Sequence, residues 1–110
     1  MWFSTSIWFL AAACSSPPES CEAMCQAAEQ LTGSCLKDWE LDWNAAGYED
    51  EDAFQNSCDT WVWEQEQLIE AAQRRGDSVT NLEETCSKRT QFLNSDAATC
   101  EDIGLWSVEP

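Results

Sequence analysis

From Asp50 to Arg75 the chain places Phe54, Cys58, Trp61, Gln65, Leu68 and Ala72 in alternating steps of four and three. That period is helical, and Val62 and Ile69 widen the stripe into a core-facing surface. Glu49, Asp50, Glu51 and Asp52 crowd the start, Arg74 and Arg75 close it, and Gly76-Asp77-Ser78 ends it, in the order the helix dipole prefers. A shorter stripe of Leu82, Cys86, Arg89 and Leu93 predicts another helix from about Asn81 to Leu93. Upstream, a helix is expected over Glu19–Leu31, stopped by Thr32-Gly33-Ser34 and carrying Cys21 and Cys25 on one side. Leu36, Trp39 and Trp43 keep helical spacing, although Trp39, Leu41 and Trp43 also alternate as a strand would. With no partner strand in view, a helix ending near Gly47 is the better reading. Asp96 reads as the cap of a last short helix that contains Cys100 and ends at Gly104. The expected fold class is all-α: a small irregular bundle of four or five helices, without internal repeats.

The first residues follow a different pattern. Positions 1–13 carry no charged side chain, and Ile7 to Ala13 is continuously apolar. The run is too short to span a bilayer, which takes about 20 residues, but it has the length of a secretory signal's apolar core. Small residues then lead into Cys14, which is either an odd thiol left near a cleavage point or the purpose of the segment. Leu10-Ala11-Ala12-Ala13-Cys14 resembles the lipobox of bacterial lipoproteins, with Leu10 one place further from the cysteine than that family's usual leucine. The resemblance is confined to this segment. It implies cleavage after Ala13, a diacylglyceryl group on the Cys14 sulfur and a cell-envelope location. Because Ser15 follows in place of the Asp that marks inner-membrane retention, it also implies the outer membrane where the cell has one. Residues 1–13 are thus expected to be a signal peptide, 14–20 a lipidated tether with extended Pro17-Pro18, and 21–110 the folded domain.

Cysteine arithmetic agrees with this division. Of the seven cysteines, Cys14 is set apart, leaving Cys21, Cys25, Cys35, Cys58, Cys86 and Cys100. An even set in an exported chain predicts about three disulfides, which a domain this small needs for stability. Six cysteines allow 15 pairings in principle. If the two clearest helices form an antiparallel hairpin turning near Ser78, Cys58 lies level with a residue near 98, which suggests a Cys58–Cys100 bridge.

Charge narrows the partners. The 21 Asp and Glu residues outnumber 5 Lys and Arg, for a formal charge of -16, so no basic footprint exists for nucleic acid. Basic proteins and cations remain as partners, beside a membrane reached through the lipid anchor. The charge can equally serve only to keep the protein dispersed. The chain has no His, hence no partner base for a serine or cysteine nucleophile, and it carries no phosphate-binding glycine loop. No enzymatic activity and no cofactor are expected. The Cys-x-x-x-Cys pair on a helix suits a disulfide better than zinc. Asp38, Glu40, Asp42, Asn44 and Glu49 imitate the spacing of a calcium loop, but Trp43 occupies the position that needs glycine, so no metal site is expected. Trp39, Trp43 and Trp61 are expected in the core. Trp63 points about 200° away from Trp61 and shares its side with Glu66 and Glu70. Either a segment around Trp106 covers it, the favoured reading, or it is a partner contact. The functional expectation is a membrane-anchored, non-catalytic binding or structural module. The alternative is a freely secreted, disulfide-rich interaction protein such as an inhibitor or effector. A small ligand carrier, recognisable by an internal apolar cavity, is a third class.

Overall fold

The computed structural model describes residues 18–107. Three α-helices carry the architecture: α1 (Glu19–Asp38), α2 (Glu51–Arg75) and α3 (Leu82–Leu93). Short 3₁₀ turns follow α1 at Trp43–Ala46 and follow α3 at Cys100–Asp102 and Leu105–Ser107. The all-α, disulfide-stapled class expected from the sequence is present, and no strand occurs among the described residues.

The boundaries of α2 and α3 follow from their capping residues. Asp50 accepts a hydrogen bond from the Ala53 amide at 2.8 Å, and Asn81 accepts one from the Glu84 amide at 3.1 Å. At the far end of α2, Gly76 takes a left-handed conformation (φ 80°), and the Gly76 and Asp77 amides donate to Gln73 and Ala72. The last short element is capped differently from the expectation. Thr99, not Asp96, accepts from the Glu101 amide, while Asp102 accepts from the Thr99 amide at 2.8 Å. Asp96 is exposed in the preceding turn.

The first helix runs further than its sequence suggests. It passes through Thr32-Gly33-Ser34 because Thr32, Cys35 and Leu36 are all buried beyond that point. A mid-helix glycine costs only about 1 kcal/mol, which such burial outweighs. The Trp43 indole lies over this turn: a Cβ at Gly33 would meet its Cζ2 at 3.4 Å, a van der Waals contact. The expected second helix is therefore divided, its Leu36 ending up in α1 and its Trp43 in a 3₁₀ turn. Between them the chain reverses through Glu40, whose φ is 58°. The Leu41 amide donates to Leu36 O at 2.8 Å and the Glu40 amide to Lys37 O at 3.1 Å. That pair of bonds is a Schellman closure, with glutamate in the left-handed place where glycine is favoured.

In space α1 is the middle helix, packed against both α2 and α3, and every disulfide begins on it. Cys21 bonds to Cys86 on α3, Cys25 to Cys58 on α2, and Cys35 to Cys100 after α3. The expected Cys58–Cys100 bridge is not formed. Its argument counted residues equally on both arms of a hairpin, yet residues 77–81 are non-helical. Such residues cover up to about 3.3 Å each against 1.5 Å in a helix, so the return arm climbs faster than residue counting allows. Cys100 consequently arrives at the far end, level with Cys35. About the Cys25–Cys58 bridge, Glu29 meets Glu51 on one side and Glu22 meets Asp59 on the other, so α1 and α2 run antiparallel, with Gln55 Nε2 donating to Cys25 O at 3.2 Å. The other two bridges set α1 and α3 running the same way.

The core between the helices consists of Cys21, Cys25, Cys58 and Cys86 with Met24, Ala28, Phe54, Val62, Leu82, Leu93 and Trp106. Trp61 belongs to it as expected, and Trp43 is half-buried against Phe54 at a centroid distance of 5.4 Å. Trp39 does not: it lies 49% exposed in the turn after α1, because the helix ends before its side could be covered.

Two outcomes follow. Each bridge, taken singly, restricts the unfolded chain by about 4 kcal/mol for loops of 33 to 65 residues, so reduction at neutral pH and low salt should abolish cooperative thermal unfolding. Circular dichroism should then show part of the helix signal returning when salt screens the carboxylates, whereas an unchanged melt after complete reduction would mean that packing alone suffices. Separately, Glu40→Gly relieves a left-handed glutamate and should raise stability by about 1 kcal/mol in chemical denaturation.

Candidate functional site

The five cations are nearly all engaged. Arg89 is the one drawn inward: its guanidinium lies 5.5 Å from the Trp61 ring centroid, and Nη1 donates to Trp106 O at 3.1 Å. Burial lowers its pKa from the ordinary value. The contact ties α3 to α2 and to the last turn, so its role is structural. Arg74 pairs with Glu70 (3.2 Å), Arg75 with Asp77 (3.0 Å) and Lys88 with Glu84 (2.9 Å), all on exposed side chains. Exposed pairs of this kind contribute about 0–1 kcal/mol, so they neutralise locally more than they stabilise.

The carboxylates along the α1–α2 seam have no such company. Gln26 and Gln55 share a small polar depression with Glu22 and Asp59, which face each other from the two helices. One turn further, Glu29 and Glu51 lie close enough to interact. The Glu29 charge, then some desolvation, a side-chain hydrogen bond with Glu29 and the charge of Asp52 all hold the Glu51 carboxyl above its ordinary value. None of the ion pairs among the described residues reaches this seam.

Trp63 stands on the outer face of α2 beside that seam and is 59% exposed. The favoured expectation, that Trp106 covers it, fails. Trp106 packs edge-on against Phe54 (5.4 Å) and Trp61 (6.3 Å) on the opposite side of the helix. Helical geometry puts Asp59, Glu66, Gln67 and Glu70 on the Trp63 face, at four residues before and three, four and seven after. An exposed indole is thereby framed by carboxylates. Trp63 was singled out from the sequence, but Glu22 and Asp59 were not. The helical antiparallel pairing set by Cys25–Cys58 would have brought them together had that bridge been known.

The remaining candidates divide plainly. The six domain cysteines are all disulfide-bonded, and such bonds belong to an oxidising compartment, extracellular or in the envelope. Residues 1–13 and Cys14 lie outside the described residues. In the calcium-like segment, Asp42 caps a 3₁₀ turn by accepting from the Ala45 amide at 3.2 Å, while Asp38 and Glu40 sit exposed at the end of α1. Among the described residues no group of three or more His, Cys, Asp or Glu is arranged to hold a metal ion. An open cleft between α2, residues 79–81 and the start of α3 is lined by Pro18, Ile69, Val79 and Leu82, with Glu66, Glu70 and Glu83 beside them.

The seam has a pH signature. A carboxyl whose folded-state pKa is raised adds stability when protonated, and loses it as pH rises through that raised value. Glu51→Gln should therefore raise the thermal midpoint at pH 7, with the difference shrinking as pH falls toward 4.5. Equal midpoints for the two proteins across that range would show that the Glu29–Glu51 repulsion is absent in solution.

No family model matches this chain, and no characterised protein or solved structure is detectably similar to it.

Proposed function

We propose that this chain is a lipid-anchored, non-catalytic binding module of the cell envelope, held to the membrane through Cys14. The observation that carries the reading is cysteine bookkeeping. Three intramolecular bridges take up six of the seven cysteines, leaving Cys14 as the odd one, directly after an apolar run and small residues. Lipidation gives that cysteine a role no bridge supplies. Among the described residues no helix is long and apolar enough to cross a membrane.

The geometry near the start of the domain suits a short tether. Pro18 has φ -58° and ψ 142°, the extended polyproline conformation, and α1 begins at Glu19. By composition, a fully extended stretch from Ser15 to Pro18 spans at most about 12 Å. Because Glu66 lies beside Pro18 in the same cleft, α2 runs on past the start of α1 for roughly nine residues, about 14 Å. Anionic lipid repels each nearby carboxylate by about 1 kcal/mol, whereas acyl chains contribute about 0.8 kcal/mol per buried methylene, so anchoring prevails.

Intact mass of the protein extracted from membranes is the test. The expected species starts at Cys14 and carries acyl mass. A chain starting near the same point without acyl mass, recovered from the medium, would replace this reading with that of a freely secreted interaction protein.

A further inference from the structure

We propose that the outer face of α2 around Trp63 is a docking surface for a basic, arginine-rich polypeptide segment. The inference deepens the binding-module reading above and does not depend on the anchor.

Trp63 is the most exposed of the large hydrophobic residues among those described. Among the described residues, Glu70 alone of the carboxylates that frame it has a cationic partner, Arg74. Asp59 and Glu66 have none, and Glu22 adds a further charge from α1 across the seam. An indole face bounded by unpaired carboxylates is complementary to a guanidinium, which can stack on the ring while donating hydrogen bonds to the acids. The chain already uses this chemistry internally, where Arg89 lies over Trp61 and donates to a carbonyl.

Charge removes the other occupants. A second copy would bring another -16 against the same face, and nucleic acid or an anionic bilayer would be repelled by the same carboxylates. An uncharged apolar segment could cover the indole but would desolvate the carboxylates without pairing them. A basic segment satisfies both, and tryptophan at the centre of a polar rim is the residue type on which binding energy concentrates.

The test is titration of the purified full chain, in neutral detergent, into fluorescein-labelled deca-arginine, followed by anisotropy. Wild type should bind, more weakly as salt rises from 50 to 300 mM (a contact of about 10 Å spans less than one Debye length at the lower salt and nearly two at the higher). Trp63→Ala should weaken binding about two- to fivefold, the range of an exposed cation–π contact. Asp59→Asn with Glu66→Gln should both weaken binding and flatten its salt dependence. Trp39→Ala, which removes another exposed indole away from α2, should leave affinity unchanged. The Trp63 indole N–H resonance should shift during the titration while those of buried Trp61 and Trp106 stay in place. Equal affinities for Trp63→Ala and Trp39→Ala would overturn the site and leave only diffuse charge attraction. No binding at all would overturn the basic partner. The intact mass judges the anchor separately, so either reading can fall alone.

Discussion

Everything in this domain hangs from one face of α1. Cys21, Cys25 and Cys35 lie within an arc of about 80° when placed at 100° per residue, so one helix stripe presents all three sulfurs to its neighbours. Each sulfur captures a different element: α3, α2 and the turn after α3. The other two helices meet through α1 more than through each other. With three bonds radiating from one rod, the small core can be only as thick as the side chains between α1 and each partner. Met24, Ala27 and Ala28 on α1 are small or adaptable for that reason.

How much of this was legible depends on whether a feature is local. The ends of α2 and α3 could be read because capping is a contact over three or four residues, carried by Asp50, Asn81 and Gly76. The continuation of α1 through Gly33 could not, because what overrides the glycine is the burial of Thr32, Cys35 and Leu36 and the bridge from Cys35 to distant Cys100. Cysteine pairing is likewise a tertiary fact, yet one clue was present in the spacing. Cys21 to Cys35 and Cys86 to Cys100 are each 14 residues apart, and both bridges span a separation of 65. Two segments with matched intervals can run side by side in one direction and be bonded at both ends. That signal competes with the assumption that neighbouring helices form a hairpin, and here the matched interval wins.

The distribution of cations shows a similar economy. With so few positive groups, the fold commits Arg89 to the interior, where it joins α2, α3 and the last turn at once. Three more close local pairs near helix ends. The α1–α2 seam is left with like charges opposed, most clearly at Glu29 and Glu51, although Cys25–Cys58 lies one or two turns away. A covalent bridge makes that repulsion tolerable: it holds the helices together by an interaction that neither pH nor salt weakens. The disulfide and the acidic surface therefore belong to one design, since a purely packed helix pair of this size would separate more readily under the same charge.

Trp61 and Trp63 display the consequence at a distance of two residues. Helical geometry turns one inward beneath Arg89 and Trp106 and the other outward among carboxylates. The inner indole is satisfied within the chain by a cation and aromatic edges. The outer one is exposed, with Asp59, Glu66, Gln67 and Glu70 as its neighbours on the helix face. The helix that carries the outer indole and its acids is fixed to α1 at Cys58, so their backbone positions are set while their exposed side chains stay free to turn. Contact with such a face orders side chains and not backbone, at about 0.5–1.5 kcal/mol for each rotamer-rich side chain immobilised.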